Sequence, residues 1–353
     1  MIHVSMYTFH MDEKRDEREK ISPGAPGIQE LLAVFNKETM LPKGRFLKFN
    51  VDENADELSV YNPSPIDVDG VTYLLARVEK KNTESGSTVM LFCENENGEW
   101  DIVEDVPVLN NVQDPFYCGM IDGLHVIGWV QTYEETGSPQ LGYRTVFYRF
   151  ENSILELEDE DSNSIPPFAV GPEKMKDIRL IQRKNGRIGV FTRPQGKFGG
   201  RGEVGYFEIE NLDQLENSLA DHVQKEEPDS LIFNVFLKRP KGENEWGGVN
   251  ELYNLADGKI GVLGHIADIE PQGVKKSYYP ITFIFDPETR LISDLKIIAT
   301  TKQFPPVKAK KFDLGEVLYS GGLVSLGNDK VRLYVGIGDT EAGYIDIKDP
   351  FFK

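Results

Sequence analysis

Three carboxylates interrupt segments that otherwise read as apolar strands, and their types and positions suit proton transfer. Asp114 lies in Gln-Asp-Pro, Asp177 lies between cations in Lys-Asp-Ile-Arg, and Glu251 follows an asparagine. Two carboxyl groups near one reacting bond can act as general acid and general base. We therefore rank Asp114, Asp177 and Glu251 as candidate catalytic residues. For an Asp before Pro, a turn or strand cap is the alternative role.

A second set of polar residues recurs in the same segments and could hold an anion or hydroxyl groups. Its members are Asn62, Arg77, Lys176, Arg193, Asn250, His265 and Asp339. Charge-assisted hydrogen bonds from the cations would bind an anion or polarise a leaving group. The alternatives are ion pairing of the cations with Glu79, Asp114 and Asp177, a structural role for His265 and a turn for Asp339.

The spacing of these residues follows a repeated hairpin. Turn pairs precede alternating apolar strands at Asp69-Gly70, Asp122-Gly123, Asn185-Gly186, Asp257-Gly258 and Gly327-Asn328. Asp-Gly and Asn-Gly favour type I′ turns, in which both central residues have positive φ. Seven positions after the turn come Arg77, Val130, Arg193, His265 and Val335, and seven or eight positions before it come Asn62, Asp114, Asp177, Asn250 and Ser320. Residues equally far from a hairpin turn face each other across the two strands. We therefore expect these polar residues to lie at the same end of every hairpin. An offset of seven rather than eight reverses the side-chain face unless a bulge restores it.

The elements that must position these residues are predicted to be five similar β units. The turn positions 70, 123, 186, 258 and 328 are separated by 53, 63, 72 and 70 residues. Such intervals suit four-stranded antiparallel blades with insertions, so we predict an all-β, five-bladed β-propeller. Residues 46–353 would form this single domain after a short non-repeat N-terminal extension, residues 1–45. The segment 344–352 is expected to pair with an N-terminal strand and close the ring.

Two segments outside the strands are predicted to be helical, Ile28 to Lys37 and Asn211 to Lys225. In the second, leucines recur at helical spacing, and we expect it to decorate the outside between the third and fourth units. The segments 87–95 and 143–152 alternate as third strands of the first two units. The acidic segment 155–164 is predicted to be a loop.

Composition excludes several classes of protein. The chain of 353 residues carries 39 Lys and Arg against 58 Asp and Glu, a net charge of −19, which disfavours nucleic acid and anionic lipid as partners. There is no apolar run of about 18 residues and no signal-peptide pattern, so we expect a cytoplasmic protein without membrane association. Cys93 and Cys118 lack metal-ligand spacing and are expected to be reduced. No metal or organic cofactor is predicted.

Aromatic residues accompany the polar positions: Tyr61, Phe116, Tyr117, Trp129, Tyr133, Trp246 and Tyr253. Sugars combine apolar faces with polar rims, so aromatic rings beside carboxylates and arginines suit a carbohydrate funnel. Packing in the core is the alternative for each ring.

The chain from about residue 45 to 350 resembles glycoside hydrolase family 130 and, more closely, its uncharacterised relatives among the five-bladed furanosidase-like propellers. The motifs that carry the resemblance are Tyr61-Asn62-Pro63 followed by YLLARVE, Gln113-Asp114-Pro115, KDIRLIQRKNGRIGVFTRPQG, GKIGVLGHIAD and VRLYVGIGDTEAG. Each motif is weak alone, but their order and spacing make the resemblance in fold specific.

The resemblance implies roles for particular residues. In the mannoside phosphorylases of the family, the Asp of an Asp-Pro-Arg motif is the general acid, which corresponds to Asp114. The phosphate site corresponds to Lys176 and His265, with Arg193 as a further candidate, and inorganic phosphate would be a co-substrate. Two departures are Phe116 in place of the motif's Arg and Gly-His-Ile around His265 in place of Tyr-His-Gly.

The resulting expectation is an enzyme that cleaves a β-mannoside or related oligosaccharide with inversion, by phosphorolysis or by hydrolysis. In a hydrolase, Asp177 or Glu251 would activate water, and Asn62 and Arg77 would bind sugar hydroxyls. Phe116 favours the alternative, a non-catalytic propeller that binds a glycan or a protein. A furanosidase is a further possibility, against which the asparagine at position 62 counts. The sequence predicts neither the sugar nor the oligomeric state.

Overall fold

A computed structural model gives the structure of residues 26–38, 41–51, 57–68, 70–81, 86–104, 106, 108–137, 141–151, 166–194, 204–224, 245–270 and 275–352. Strands dominate these residues, so the prediction of an all-β protein is confirmed. The helices are α1 (Ile28–Phe35) and α2 (Leu215–Gln224), with 3₁₀ turns at Leu212–Gln214 and Thr301–Gln303. The acidic segment 155–164 lies outside the described residues.

The strands are numbered along the chain. The first eleven are β1 (Arg45–Phe46), β2 (Phe49–Asn50), β3 (Leu58–Val68), β4 (Val71–Lys80), β5 (Thr88–Glu94), β6 (Trp100–Ile102), β7 (Leu109–Asn110), β8 (Val112–Ile121), β9 (Leu124–Glu134), β10 (Leu141–Phe150) and β11 (Ala169–Val170). The others are β12 (Arg179–Gln182), β13 (Ile188–Thr192), β14 (Gly205–Ile209), β15 (Trp246–Asn254), β16 (Ile260–Ile269), β17 (Lys276–Asp286), β18 (Leu291–Ile297), β19 (Glu316–Gly327), β20 (Lys330–Ile337) and β21 (Glu341–Lys348). The predicted third strands correspond to β5 and β10.

Hydrogen bonds join these strands into four sheets. Their orders are β1-β21-β20-β19-β17-β16-β15 with β18 on β17, β11-β10-β9-β8, β12-β13-β14, and β2-β6-β5-β4-β3 with β7 on β5. A parallel pairing of only two residue pairs, between β17 and β19, joins the two halves of the largest sheet. Apart from that pairing, each antiparallel group of strands contains one of the five predicted hairpins.

The turns of these hairpins differ from one another in geometry. Asp122 and Gly123 both have positive φ (52° and 77°), as a type I′ turn requires. At Asn185-Gly186 and Asp257-Gly258 only the glycine has positive φ, and each loop spans five residues between paired strand ends. The fifth turn is Asn328-Asp329 rather than the predicted Gly327-Asn328, because Gly327 pairs with Lys330 and both intervening residues have positive φ.

The antiparallel groups pack face to face through five clusters of buried apolar residues. Each cluster contains residues of two consecutive groups, and one joins the first group to the last through Leu74, Trp100 and Tyr334. Burying apolar surface in this way is the main favourable contribution to folding. The packing order is therefore cyclic.

The two ends of the chain meet as expected. Arg45 pairs with Tyr344 and Phe46 with Gly343, so that β1 extends the group that contains β21. This pairing covers a sheet edge that would otherwise present unpaired backbone groups.

Both predicted helices are present, and both pack on the outside of sheets. The apolar face of α1 joins the cluster around Phe283 and Ile297. Leu215 and Leu219 of α2 lie in the cluster shared by the second and third groups, and Glu216 accepts a hydrogen bond from Val170 N–H at 3.1 Å. Helix α2 therefore lies between the second and third units, not between the third and fourth as predicted. Within the described residues, no helix has the length and apolarity to cross a bilayer.

Candidate active site

Interruptions of the strand register lie at the same depth in four of the five hairpins. They fall at residues 61–64 of β3, 113–116 of β8, 249–251 of β15 and 320–322 of β19. A bulge inserts residues that no partner opposes, and it redirects the side chains around it. Asn62, Asp114 and Asn250 lie in these bulges. Asn62 and Asp114, whose offsets from the turn are seven and eight, thereby come within hydrogen-bond distance of each other.

Several of these residues have left-handed backbone conformations. Asn62, Asp114 and Asp177 have φ of 51°, 47° and 60°. Asn and Asp tolerate this region best among residues with a Cβ, yet it remains uncommon for them and is characteristic of functional sites. Gly336 lies against Asn62, where a Cβ would overlap the Asn62 Oδ1 atom. The local backbone thus brings three polar side chains toward one region.

Asp114 is buried and is surrounded by groups that favour its charged form. Asn62 Nδ2 donates a hydrogen bond to Asp114 Oδ1 at 2.9 Å, Lys176 Nζ lies 3.6 Å from Oδ2, and Arg77 Nη1 lies 3.9 Å from Oδ1. Burial acts to raise the pKa of Asp114, but Lys176, Arg77 and the Asn62 amide together hold it below its usual value. Asp114 is therefore an ionised carboxylate at neutral pH.

Asp177 forms the second carboxylate centre. Arg193 Nη1 donates to Asp177 Oδ2 at 2.6 Å, and His265 Nε2 lies 3.8 Å from the same oxygen. Burial opposes ionisation, yet the Arg193 guanidinium, followed by His265 and Lys176, lowers the pKa of Asp177 strongly. Gly248 forms the wall behind this carboxylate, since a Cβ there would overlap Asp177 Oδ2.

His265 is held by Asn250 and is neutral at physiological pH. Its Nδ1 is 2.8 Å from Asn250 Oδ1, which can only accept, so Nδ1 carries the proton. Burial lowers the pKa of His265 to about 4, although Asp177 acts in the opposite direction. The buried Nε2 atom has no hydrogen-bond partner. Among the described residues its lone pair is therefore unpaired, and a ligand hydroxyl or a water molecule that reaches it could donate to it.

Arg77 connects the first carboxylate centre to a further buried acid, Glu79. Arg77 Nη2 donates to Glu79 Oε2 at 2.9 Å and to Ser87 Oγ at 3.0 Å. Lys310 Nζ also donates to Glu79. Sequence reasoning noted Glu79 only as an ion-pair partner and missed Lys310. Glu79 could have been found because it lies two residues from Arg77 on the same strand face.

Asp339 lies beside the same cations, and no hydrogen bond from another described residue fixes its carboxyl group. Its φ of 53° follows a glycine that also has positive φ. Burial raises the pKa of Asp339, while Arg77, Lys310 and Lys176 partly oppose this effect. Asp339 and Asp114 are thus neighbouring carboxylates whose pKa values move in opposite directions.

Phe116, the departure from the family motif, has a guanidinium stacked on it. Arg179 lies 3.7 Å above the Phe116 ring centroid, a cation–π contact. Its Nε donates to Asn250 O at 2.7 Å. Arg179 is buried, and no described carboxylate lies within ion-pair distance of it. Sequence reasoning did not assign a role to Arg179, although it lies two residues after Asp177, at the start of β12.

Glu251 is placed apart from the other predicted catalytic residues. Its Oε2 accepts hydrogen bonds from Tyr253 Oη and, at 2.8 Å, from Leu323 N–H. Burial raises the pKa of Glu251 to about 7, with Tyr253 and Leu323 opposing the shift. Within the described part of the chain, no hydrogen bond or ion pair joins Glu251 to Asp114 or Asp177.

The other predicted site residues come together in one polar cluster. Five cations and four carboxylates form it: Arg77, Lys176, Arg179, Arg193, Lys310, Glu79, Asp114, Asp177 and Asp339. Cations thus outnumber carboxylates here, although the chain as a whole carries a net charge of −19. Such a reversal of local charge is what an anionic ligand requires.

Most aromatic candidates are packed in the core. Tyr61, Phe116 and Trp129 are at most 3% exposed. Tyr278, which the sequence did not single out, stacks on His265 with ring centroids 5.5 Å apart. A cavity of about 490 Å³ lies between α1 and β18, but none of the polar cluster lines it. Within the described residues, no group of three or more His, Cys, Asp or Glu side chains could hold a metal ion.

Comparison with known proteins places the chain in a class and then in a family. The chain has the fold of mannoside phosphorylases, and the resemblance to glycoside hydrolase family 130 is confirmed. It belongs to the family described as "Protein of unknown function (DUF1861)", whose family model matches residues 33–353. No curated protein matches it.

Three solved structures illustrate the similarity. MPT-4, a mannose phosphorylase from Leishmania mexicana in complex with a phosphate ion, is 29% identical with a TM-score of 0.75, covering 92% of this chain and 93% of that chain. MPT-1, a GDP-Man-dependent mannosyltransferase from Leishmania mexicana, is 30% identical with a TM-score of 0.74, covering 92% and 94%. A beta-1,2-mannobiose phosphorylase from Listeria innocua is 14% identical with a TM-score of 0.53, covering 85% and 93%, and shows the fold alone.

Proposed function

We propose that this chain is an inverting enzyme that transfers a mannosyl group from a β-mannoside to phosphate. In the reverse direction it transfers the mannosyl group from the sugar 1-phosphate to an acceptor. The observation that carries the proposal is the buried Asp114 carboxylate, held by Asn62 with Lys176 at 3.6 Å and Arg77 at 3.9 Å. Both Leishmania relatives support it, because one is a mannose phosphorylase bound to phosphate and the other uses a sugar nucleotide. In the reactions of both relatives, one of the mannosyl compounds has a phosphate oxygen on its anomeric carbon.

The proposed scaffold is a single five-bladed propeller formed by residues 46–353, with a central funnel for an oligosaccharide. The cyclic packing of five antiparallel groups and the pairing of β1 with β21 support this blade count. The third group contributes three strands within the described residues. Cys93 and Cys118 are free, in keeping with the cytoplasm as the proposed compartment.

Asp114 exchanges the proton in the proposed reaction. In phosphorolysis a phosphate oxygen attacks the anomeric carbon, the glycosidic C–O bond breaks, and the leaving oxygen takes a proton from Asp114, directly or through a substrate hydroxyl. Inversion of a β-linkage yields an α-sugar 1-phosphate. In the reverse direction ionised Asp114 accepts the proton of the acceptor hydroxyl. The free site therefore has Asp114 in the state needed for synthesis.

Phosphate binding would bring Asp114 into the protonated state that phosphorolysis requires. A phosphate dianion beside Lys176 offsets the positive charge that lowers the pKa of Asp114, so the carboxylate would take up a proton as phosphate binds. Lys176, Arg193 and His265 are the proposed phosphate ligands. His265 would gain a proton or accept a hydrogen bond at Nε2 from a protonated phosphate oxygen.

The position of the Asp177 carboxylate favours a second function, hydrolysis. Its carboxylate already occupies the place between Arg193 and His265, where a phosphate would otherwise meet both groups. Asp177 Oδ2 and His265 Nε2 are both acceptors 3.8 Å apart, and one water molecule could donate to each of them. In that function Asp177 activates water while Asn62 and Arg77 hold sugar hydroxyls.

Product identification separates these functions. The protein is incubated with a panel of β-mannobioses and longer β-mannosides, with and without inorganic phosphate. Sugar 1-phosphate formed only with phosphate supports phosphorolysis, and free mannose formed without phosphate supports hydrolysis. GDP-mannose with a mannoside acceptor tests the transferase direction. If none of these substrates is turned over, yet the glycans bind equally well to wild type and Asp114→Asn, the proposal fails and a glycan-binding propeller remains.

A further inference from the structure

Glu79 is the most heavily hydrogen-bonded carboxylate near the site. It is 2% exposed and accepts from Tyr61 Oη, Arg77 Nη2 at 2.9 Å, Ser87 Oγ at 2.7 Å and Lys310 Nζ. Four donors from four side chains occupy its two oxygens, which leaves little capacity for a substrate. Glu79 is therefore unsuited to touch the reacting atoms.

Arg77 receives its orientation from this arrangement. One end of its guanidinium, Nη2, is fixed by Glu79 and Ser87, and the other end, Nη1, lies 3.9 Å from Asp114 Oδ1. The guanidinium also lies over the Tyr61 ring at 5.1 Å. Because a guanidinium is planar and rigid, fixing one edge fixes the position of the other. Arg77 is thus a rigid connection between Glu79 and Asp114.

Lys310 reaches Glu79 from a different part of the chain. It lies in the irregular segment 304–315, between the 3₁₀ turn at Thr301–Gln303 and β19, and its backbone N–H donates to Gly338 O at 2.9 Å. Its side chain is 3% exposed, with Nζ 5.7 Å from the Tyr61 ring centroid. A buried ammonium is costly unless it is paired, and Glu79 supplies the pair. Burial and the Arg77 charge still lower the pKa of Lys310 to about 8, which leaves Lys310 protonated in the acidic range where Asp114 titrates.

We infer that Glu79 and Lys310 are positioning residues of the site, whose buried ion pair holds Arg77 beside Asp114 and sets the charge that Asp114 experiences. Glu79 offsets part of the positive charge of Arg77, while Lys310 offsets part of the charge of Glu79. The two residues act on the proton-transferring carboxylate through Arg77 and touch no substrate atom.

Asp114 also faces groups from every element packed around it, and these set the background for a test. Asn62 on β3 donates to it, Lys176 and Asp177 approach from the segment before β12, Tyr319 on β19 lies nearby, and Asp339 follows β20. Of these groups, Asp339 also responds to Lys310, whose charge opposes the rise in its pKa, so the titration of Asp339 is followed in the same spectra. The other groups keep their charge when Glu79 or Lys310 is substituted. A shift in the titration of Asp114 in such variants therefore reports on the ion pair.

The test compares two neutralising variants with opposite expected signs. Glu79→Gln removes a negative charge and should lower the titration midpoint of Asp114, whereas Lys310→Met removes a positive charge and should raise it. Each shift should be on the order of half a pH unit to one unit. The double variant Glu79→Gln with Lys310→Met should return close to wild type. The midpoint is read by NMR from labelled aspartate carboxyl carbons, with Asp114→Asn assigning the signal.

The matched control is the exposed pair of Lys48 and Glu99, where the Lys48 side chain is 70% exposed. Lys48→Met makes the same chemical change far from Arg77 and should leave the Asp114 midpoint unchanged. If the Glu79 and Lys310 variants shift the midpoint in the same direction, or do not shift it, the inference is wrong. Should Glu79→Gln fail to fold, Lys310→Met and the double variant still decide.

A kinetic readout rests on the proposed function, whereas the NMR titration does not. In an active enzyme, the acidic limb of the pH profile for mannoside synthesis should move with the Asp114 midpoint, in opposite directions for the two variants. Shifted NMR midpoints in a protein without turnover would refute the proposed function and leave the positioning role intact. A purely structural role would reduce activity without moving the limb.

Discussion

Asp114 is a buried carboxylate and Glu251 a half-buried one, each on the first strand of its hairpin, and their surroundings are opposite in kind. Asp114 lies among Lys176, Arg77 and the Asn62 amide, which keep it ionised. Glu251 lies among neutral donors, the Tyr253 hydroxyl and the Leu323 N–H, and burial raises its pKa to about 7. Hydrogen bonds stabilise both groups. Two cations lie within ion-pair distance of Asp114, whereas the Arg179 charge acts on Glu251 from beyond that distance.

This difference assigns Asp114 to the candidate active site and Glu251 to a structural contact between two strands. Glu251 joins β15 to β19 through Leu323, since it accepts from the backbone of the neighbouring group. Asp114 joins three groups through side chains alone, with Asn62 and Arg77 in the first group and Lys176 before the strands of the third. A carboxylate bound to backbone is fixed by the fold, whereas one bound to side chains can change partners during a reaction.

The largest expected effect is on catalysis by Asp114→Asn. Loss of the proton-transferring group should lower kcat by about 10²- to 10⁴-fold, the usual contribution of a general acid or base. Asn tolerates the left-handed backbone at this position and keeps the oxygen that accepts from Asn62, so the fold should survive. The measurement is the initial rate of release or formation of sugar 1-phosphate. The loss should be smaller with a good leaving group such as nitrophenolate, which needs no proton.

Glu251→Gln is the matched control for that variant. Its amide oxygen can still accept from Tyr253 and Leu323, so kcat should change by less than about threefold if Glu251 belongs to the scaffold. An equal loss of kcat in both variants would remove the distinction between the two carboxylates.

The same comparison shows what sequence reasoning could reach. The turn offsets brought Asn62, Arg77 and Asp114 together because hairpin pairing converts distance from a turn into position in space. They could not separate Asn250 from Glu251, since adjacent strand residues face opposite sides and a single bulge decides which one reaches the site. Bulges have no reliable signature in one sequence.

Lys310 shows a second limit. It comes from an irregular segment with no periodicity, so no offset from a turn predicts that its ammonium reaches Glu79 in the first hairpin group. The all-β fold and both helices were predictable because they depend on strong local patterns. The pairing of β1 with β21 was predictable for another reason, since closing the ring covers a sheet edge. The direction of side chains in irregular segments depends on packing between distant parts of the chain.

A smaller effect should appear in the pH dependence of stability. Because folding raises the pKa of Glu251 from 4.5 to about 7, the folded state binds its proton more tightly than the unfolded state. The associated stability is fully present below pH 4.5 and is lost as the pH rises through about 7. The loss is at most about 3 kcal/mol.

Thermal unfolding of wild type and Glu251→Gln from pH 5 to pH 8 measures this contribution. Wild type should lose stability relative to the variant as the pH rises, since glutamine does not titrate. Parallel curves would show that Glu251 has an ordinary pKa in the folded protein, and its assignment to the scaffold would lose its electrostatic support.

Asp177 extends the comparison to a third carboxylate. It packs against the backbone at Gly248, but its described hydrogen bond comes from the Arg193 side chain. A Cβ at Gly248 would overlap Asp177 Oδ2 and lie 2.7 Å from His265 Cε1. Gly248→Ala should therefore push Asp177 away from Arg193, costing about 1–3 kcal/mol of stability, as overpacking typically does. It should also weaken phosphate binding, because the displaced carboxylate changes the charge between Arg193 and His265.

Gly315→Ala is the matched control, since nothing lies within 4 Å of the Cβ position there and its φ is not positive. Melting temperature and the KM for phosphate are compared between the two variants. Equal values for Gly248→Ala and Gly315→Ala would mean that the Asp177 carboxylate moves aside at no cost, and then phosphate could displace it as easily.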